Sequence, residues 1–135
     1  MRWLSFTLLT IMSAATYADR QPPLPGTQPG DVAQGRAVFL GRQTGHCLLC
    51  HRLSTVDEGF QGTIAPPLDG VAGRLDAAQL RYRIVDSSRL NPETIMPAYH
   101  RTTDLHDVAP RFQGRPVLSA QQVEDLVAFL QATAQ

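Results

Sequence analysis

The 135-residue sequence contains no lysine: its 12 basic residues are all arginine, and 12 acidic residues balance them to a formal net charge of zero at pH 7. A chain without a basic excess lacks the electrostatic footprint of a nucleic-acid binder. Nothing physical in the sequence accounts for the missing lysine. Cysteine is almost as scarce, and two residues exclude a disulfide-dense scaffold and a four-thiolate zinc site. No apolar run reaches the roughly 20 residues that a bilayer requires. No segment alternates with a strand's period of two, and no repeat recurs. What remains is a single-domain length with 10 glycines, 10 prolines and 43% hydrophobic residues, the composition of a globular, loop-rich chain.

The N-terminus reads as an address. Met1-Arg2 supplies a positive charge, Trp3 to Met12 is mostly apolar, and Thr16 and Ala18 place small residues before a cut ahead of Asp19. These are the parts of a cleaved secretory signal over residues 1–18, so an exported, periplasmic protein is expected. Residues 19–30 follow as a Pro/Gly-rich arm, expected to be a disordered tether or an arm that wraps a partner. The domain itself is expected over 31–135.

Three helices are predicted. Asp31 caps the first, over 32–40, and a glycine at 35 inside it signals a close backbone crossing with another helix. Asp76 caps a second that runs to about Val85, with Leu80 and Ile84 one turn apart. Ser119-Ala-Gln-Gln122 is a capping box ahead of Val123, Leu126, Val127 and Leu130, whose spacing defines a buried stripe. The polar residues Gln122, Glu124, Asp125 and Gln131 are expected mostly on the other faces. Loops at about 52–75 and 97–118 are long for so small a helical domain, which implies that something besides side chains fills its centre.

The chemistry lies in Cys47-Leu48-Leu49-Cys50-His51. C-x-x-C-H is the attachment motif of a c-type haem. On a helical turn, positions 47, 50 and 51 share one face, so two thiols can reach one porphyrin edge while the imidazole points at the iron. A thioredoxin-like redox pair requires a βαβ context that is missing here, and a zinc site requires four ligands. A plain disulfide is the remaining alternative in an oxidising compartment.

Loss of the leader removes Met1 and Met12 and leaves Met96 as the one methionine for the second axial position. Pro92 and Pro97 pin it on a loop, where a thioether is poorly placed for a core and well placed for a metal. His46 is too close to His51 to reach the opposite face of a haem. His100 is the competitor, with His106 behind it. In Ala65-Pro-Pro-Leu-Asp-Gly-Val-Ala-Gly-Arg74, Pro66 offers a rigid carbonyl to the second ring nitrogen of His51, and Arg74 is a candidate partner for a haem propionate.

Gly35, Phe39, Cys47-x-x-Cys50-His51, Ala65-Pro66-x-Leu68-x-Gly70-x-x-Gly73-Arg74, Met96-Pro97 and the closing helix with Phe129 together resemble a class I cytochrome c. That resemblance implies an all-α fold of three to five helices, with long loops wrapped around one covalent haem c and the first and last helices crossing near it. Ala65 stands where that family usually has glycine, and an insertion lengthens the approach to Cys47. A narrower resemblance, carried by the Leu-Leu haem motif, Ile84-Val-Asp86 and Thr94-Ile-Met-Pro-Ala-Tyr99, is to the SoxX family, the monohaem subunits of the periplasmic sulfur-oxidation complex SoxAX.

This narrower resemblance implies a heterodimer with a SoxA-like cytochrome subunit, of the L-cysteine S-thiosulfotransferase type. The partner's haem-ligated cysteine joins thiosulfate to a cysteine of a carrier protein. The present chain accepts the electrons and passes them to a small soluble cytochrome c. With both cysteines consumed by haem, no nucleophile and base remain for substrate chemistry in this chain, so no catalytic residue is assigned to it. The alternative is a free-standing periplasmic electron shuttle.

Overall fold

The computed structural model describes residues 18–133. The leader expected over 1–18 lies outside them except for its last residue. Four α-helices follow in order: α1 (Val32–Leu40), α2 (Val71–Arg74), α3 (Ala77–Asp86) and α4 (Ala120–Ala132). Single 3-10 turns occur at Cys47–Leu49, Ser87–Arg89 and Pro110–Phe112, and no strand is present among the described residues. The fold class is all-α, as the sequence indicates. The one-turn helix α2 is absent from that reading because four residues are too few to show a periodicity; its presence puts Arg74 at a helix end rather than on a loop.

Each long helix begins where its cap dictates. The Asp31 carboxylate accepts from the Gln34 N–H at 2.8 Å. Asp76 and Gln79 form a reciprocal capping box at α3, and Ser119 with Gln122 repeats it at α4. After α1 the chain turns back on itself. The Gly45 N–H donates to the Val38 carbonyl at 3.1 Å, and the Thr44 hydroxyl reaches the same oxygen.

The principal packing contact is α1 against α4. Gly35 is buried at the crossing, and a Cβ added there would collide with the carbonyl of Asp125. One turn on, Phe39 and Phe129 meet with ring centroids 5.3 Å apart at an interplanar angle of 51°. Phe39, Leu118 and Val123 are fully buried here, and α3 closes the other side of α4 through Leu80, Ile84 and Val85.

Two expectations need correction. The arm 19–30 is not a disordered tether: it lies along this chain's own α3 and α4. The Gln21 N–H donates to the Ala78 carbonyl at 3.0 Å, Leu24 is buried, and the Gln28 N–H donates to Gln121 Oε1 at 2.8 Å. Prolines deprive the arm of a helix but leave enough N–H groups to dock it. Glu124 and Asp125, expected on a polar face, are buried because the arm covers them. Glu124 receives a two-pronged bond from Arg81, at 2.8 and 2.7 Å, and a further N–H from Leu24 at 3.0 Å. Arg81 also donates to the Gln21 carbonyl, and Asp125 accepts from the Asp31 N–H at 2.9 Å. Buried charges persist only when satisfied in this way.

Gly35→Ala forces the two helices apart against a backbone oxygen that cannot rotate away. It should destabilise the protein by roughly 2–4 kcal/mol in denaturant unfolding, at the upper end of overpacking costs. An unchanged midpoint would mean that the crossing is looser than described.

Candidate cofactor crevice

The Cys47–Leu49 turn starts from His46 in a left-handed conformation (φ 48°) and ends with two bonds to one acceptor. The Cys47 carbonyl receives N–H groups from Cys50 at 3.2 Å and from His51 at 2.9 Å. The turn therefore tightens at its start and relaxes to α geometry at its end, bringing residues 47, 50 and 51 to one side.

The following loop runs back beside this turn. Gly62 N–H donates to Leu48 O at 2.7 Å, Ala65 N–H to Cys50 O at 3.0 Å and Leu68 N–H to Arg52 O at 2.8 Å. This ladder sets Pro66 beside the imidazole, with His51 Nδ1 2.7 Å from the Pro66 carbonyl oxygen. A carbonyl only accepts, so Nδ1 carries the proton and Nε2 keeps its lone pair free. Asp69 clasps the same two segments together, accepting from the backbone and hydroxyl of Ser54.

Cys47, Cys50 and His51 line a cavity of about 700 Å³, within the usual range for cofactor and ligand sites. Phe39 of α1, Leu126 and Leu130 of α4, Leu80 and Ile84 of α3, and Ile95 and Met96 line the same cavity. The structure thus brings the attachment motif and Met96 to one crevice. His46 also lines it, whereas His100 sits outside the lining with Nδ1 2.9 Å from the Leu118 carbonyl, and His106 is exposed on the outer loop. The donor set of two thiols, one imidazole with a free Nε2 and one thioether, in an apolar slot, fits a covalently held haem. Among the described residues no three His, Cys, Asp or Glu side chains converge as a metal site of their own.

Burial pushes the Cys47 thiol up to about 12, with a smaller push from Cys50. The thiol is therefore protonated at neutral pH. The Tyr99 hydroxyl is raised above its ordinary range, first by burial and then by the two neighbouring sulfurs.

Arg74 lines the crevice with its guanidinium folded back onto its own loop, donating to the Asp69 carbonyl at 2.7 Å. A second crevice arginine, Arg83, went unnoticed in the sequence. It pairs with Asp19 at 3.1 Å. Its signal was available, because position 83 shares a helical face with Leu80 and Ile84. Tyr99 also lines the crevice and donates to the Gly45 carbonyl at 2.6 Å. No motif rule announces that contact across 54 residues.

The Ser54 hydrogen bonds hold the Asp69 carboxyl below its ordinary value of 3.8. A depressed folded-state value means that the clasp contributes its stability above pH 3.8 and loses it only as pH falls through the lower folded value. An acid titration of the native protein should show Asp69 protonating below 3.8, and Asp69→Asn should flatten stability across that acid window. A normal Asp69 titration would deny the clasp.

Compared with known proteins, residues 32–134 match the cytochrome c family. The chain superposes on a chain of the crystal structure of SoxXA from P. pantotrophus with a TM-score of 0.77 and 34% sequence identity, covering 85% of this chain and 89% of that one. No curated protein sequence matches it. With a family match across nearly the whole described domain and a crevice that carries the attachment motif, the chain belongs to the cytochrome c family.

Proposed function

We propose that this chain is the haem-bearing, electron-accepting subunit of a SoxAX-type complex that works in the periplasm during thiosulfate oxidation. The observation that carries the reading is the crevice itself, where the C-x-x-C-H turn and Met96 line one apolar cavity, in a chain 34% identical to a chain of SoxXA. Cys47 and Cys50 would hold one haem through thioether bonds, and His51 and Met96 would ligate its iron. When bound, the haem supplies a one-electron iron couple, whose potential the methionine thioether raises.

The chain's other residues prepare that site. The Pro66 carbonyl fixes the His51 tautomer, so Nε2 is the nitrogen offered to the iron, and it makes the ring a stronger donor. Phe39, Leu80, Ile84, Leu126 and Leu130 exclude water from the slot. Pro66 and Arg74 complete the set, Arg74 as the cation lining the crevice that would pair with a propionate in place of its bond to the Asp69 carbonyl.

With His51 and Met96 both given to the iron, no open position would be left for a substrate, and both thiols would be spent on attachment. Sulfur chemistry therefore belongs to a SoxA-like partner. That partner joins thiosulfate to a carrier-protein cysteine, and this chain receives the electrons and hands them to a small cytochrome c. Among the described residues no helix is long and apolar enough to cross a membrane; export rests on the leader pattern of residues 1–18.

Met96→Ala should keep the haem covalently attached by mass. Its midpoint potential should drop by on the order of 100 mV or more, inside the roughly 0.8 V range that axial ligation spans. An unchanged potential takes Met96 off the iron. His51→Ala should largely abolish holoprotein, and Cys47→Ala should weaken attachment.

Expressed beside a second cytochrome subunit of the same system, the mature chain should co-purify as a one-to-one complex. A monomer that exchanges electrons rapidly with oxidases and ignores that subunit would identify a free-standing shuttle instead.

A further inference from the structure

His51 and Met96 both line the crevice but are held in different ways. His51 sits on a hydrogen-bonded turn with the Pro66 carbonyl at its back. Met96 belongs to residues 91–98, whose hydrogen bonds are local among the described residues. Thr94 N–H donates to Asn91 O, Glu93 N–H to Asn91 Oδ1, and Met96 N–H to Thr94 Oγ1 at 3.2 Å. None of these bonds ties the methionine to the stretch that carries the attachment turn.

The first residue after Met96 that makes such a tie is Tyr99. Its backbone is fixed from two directions, the N–H donating to Ile84 O at 3.3 Å and the carbonyl accepting from Leu118 N–H at 2.8 Å. Its ring packs on the core and lines the crevice. Its hydroxyl then crosses to the Gly45 carbonyl at 2.6 Å, two residues ahead of Cys47. Gly45 cannot retreat easily: its N–H is bonded to Val38 O, and even an added Cβ would press on that oxygen and on Cys47 Sγ. The hydroxyl therefore links the methionine loop to the stretch that carries the attachment turn.

From this geometry we infer that Tyr99 is a positioning residue for the methionine ligand: its hydroxyl clasps the Met96 loop to Gly45 and so holds the thioether in reach of the iron. The inference rests on the reading of Met96 as the second axial ligand. The clasp acts on the ligand that must leave before any outside ligand can enter. Losing it loosens Met96 without touching His51, the cysteines or the covalent attachment. Tyr99→Phe isolates the effect, since the ring and its packing remain while the donor is lost.

The test is a double-mutant cycle on holoprotein, with imidazole as the competing ligand and the near-infrared sulfur-to-iron band of the oxidised protein as a second readout. Tyr99→Phe should retain haem by mass and bind imidazole about five- to tenfold more tightly than wild type, the change expected for one net hydrogen bond. The band should bleach at correspondingly lower imidazole. In a Met96→Ala background the same substitution should change imidazole affinity less than about twofold, because no thioether is left to hold.

Equal affinities in wild type and Tyr99→Phe overturn the inference. So does an equal tightening with and without Met96, which would place the effect elsewhere in the crevice. A wild-type protein that lacks the band removes the ligand reading and this role together. A band that is present but indifferent to the tyrosine removes only the role of Tyr99.

Discussion

The structure depends on how closely α1 and α4 approach each other. Gly35 lets the helices meet at backbone distance of the Asp125 carbonyl, and no side chain can substitute there. That contact sets where Phe39, Leu126 and Leu130 sit, and these residues line the crevice. The attachment turn follows α1 after one chain reversal, anchored to the Val38 carbonyl on the same helix. A shift at the crossing would move this lining and the turn together. In a chain this small, with few helices and long loops, one tight contact positions much of what surrounds it.

The same stretch of α4 carries a second constraint. Glu124 and Asp125 stand side by side, buried, Glu124 binding the Leu24 N–H of the arm and Asp125 the N–H of Asp31, where the arm meets α1. Arg81 of α3 completes the set by gripping Glu124 with two nitrogens and the Gln21 carbonyl with a third. The arm is thus a polar strap across two helices rather than a spacer. Isolated buried charges are costly, and a buried pair does not guarantee net stability. Its geometry is nonetheless specific: only a chain passing between α3 and α4 in this register supplies these donors.

Helix positions were legible in the sequence because caps and periodicity are local. Asp31, Asp76 and the Ser119–Gln122 box mark three starts that the structure reproduces. The attachment turn was legible as well, since C-x-x-C-H binds three groups to one spacing. Long-range polar pairing was not. Glu124 and Asp125 carry the same charge whether exposed or buried, and only the arm's position decides between the two. Arg74 and Arg83 likewise differ from solvated arginines by what faces them, which one-dimensional spacing does not encode. The short helix α2 escaped because its residues, two of them small, fit a turn or a helix equally.

The difference in how His51 and Met96 are held follows from chain economy. The imidazole is set among residues 47–69, close in sequence, so their hydrogen bonds close short loops at little entropic cost. The thioether belongs to residues 91–99, which must meet the attachment stretch across some 50 positions. Local bonds shape that loop but cannot place it. Placement comes from Tyr99, whose backbone is sewn to α3 at Ile84 and to the chain ahead of α4 at Leu118 and whose hydroxyl reaches Gly45. His51 is held by the turn's own bonds and by the Pro66 carbonyl. Residues 91–98 carry only local hydrogen bonds among the described residues, so their position depends on the anchor at Tyr99 rather than on bonds of their own.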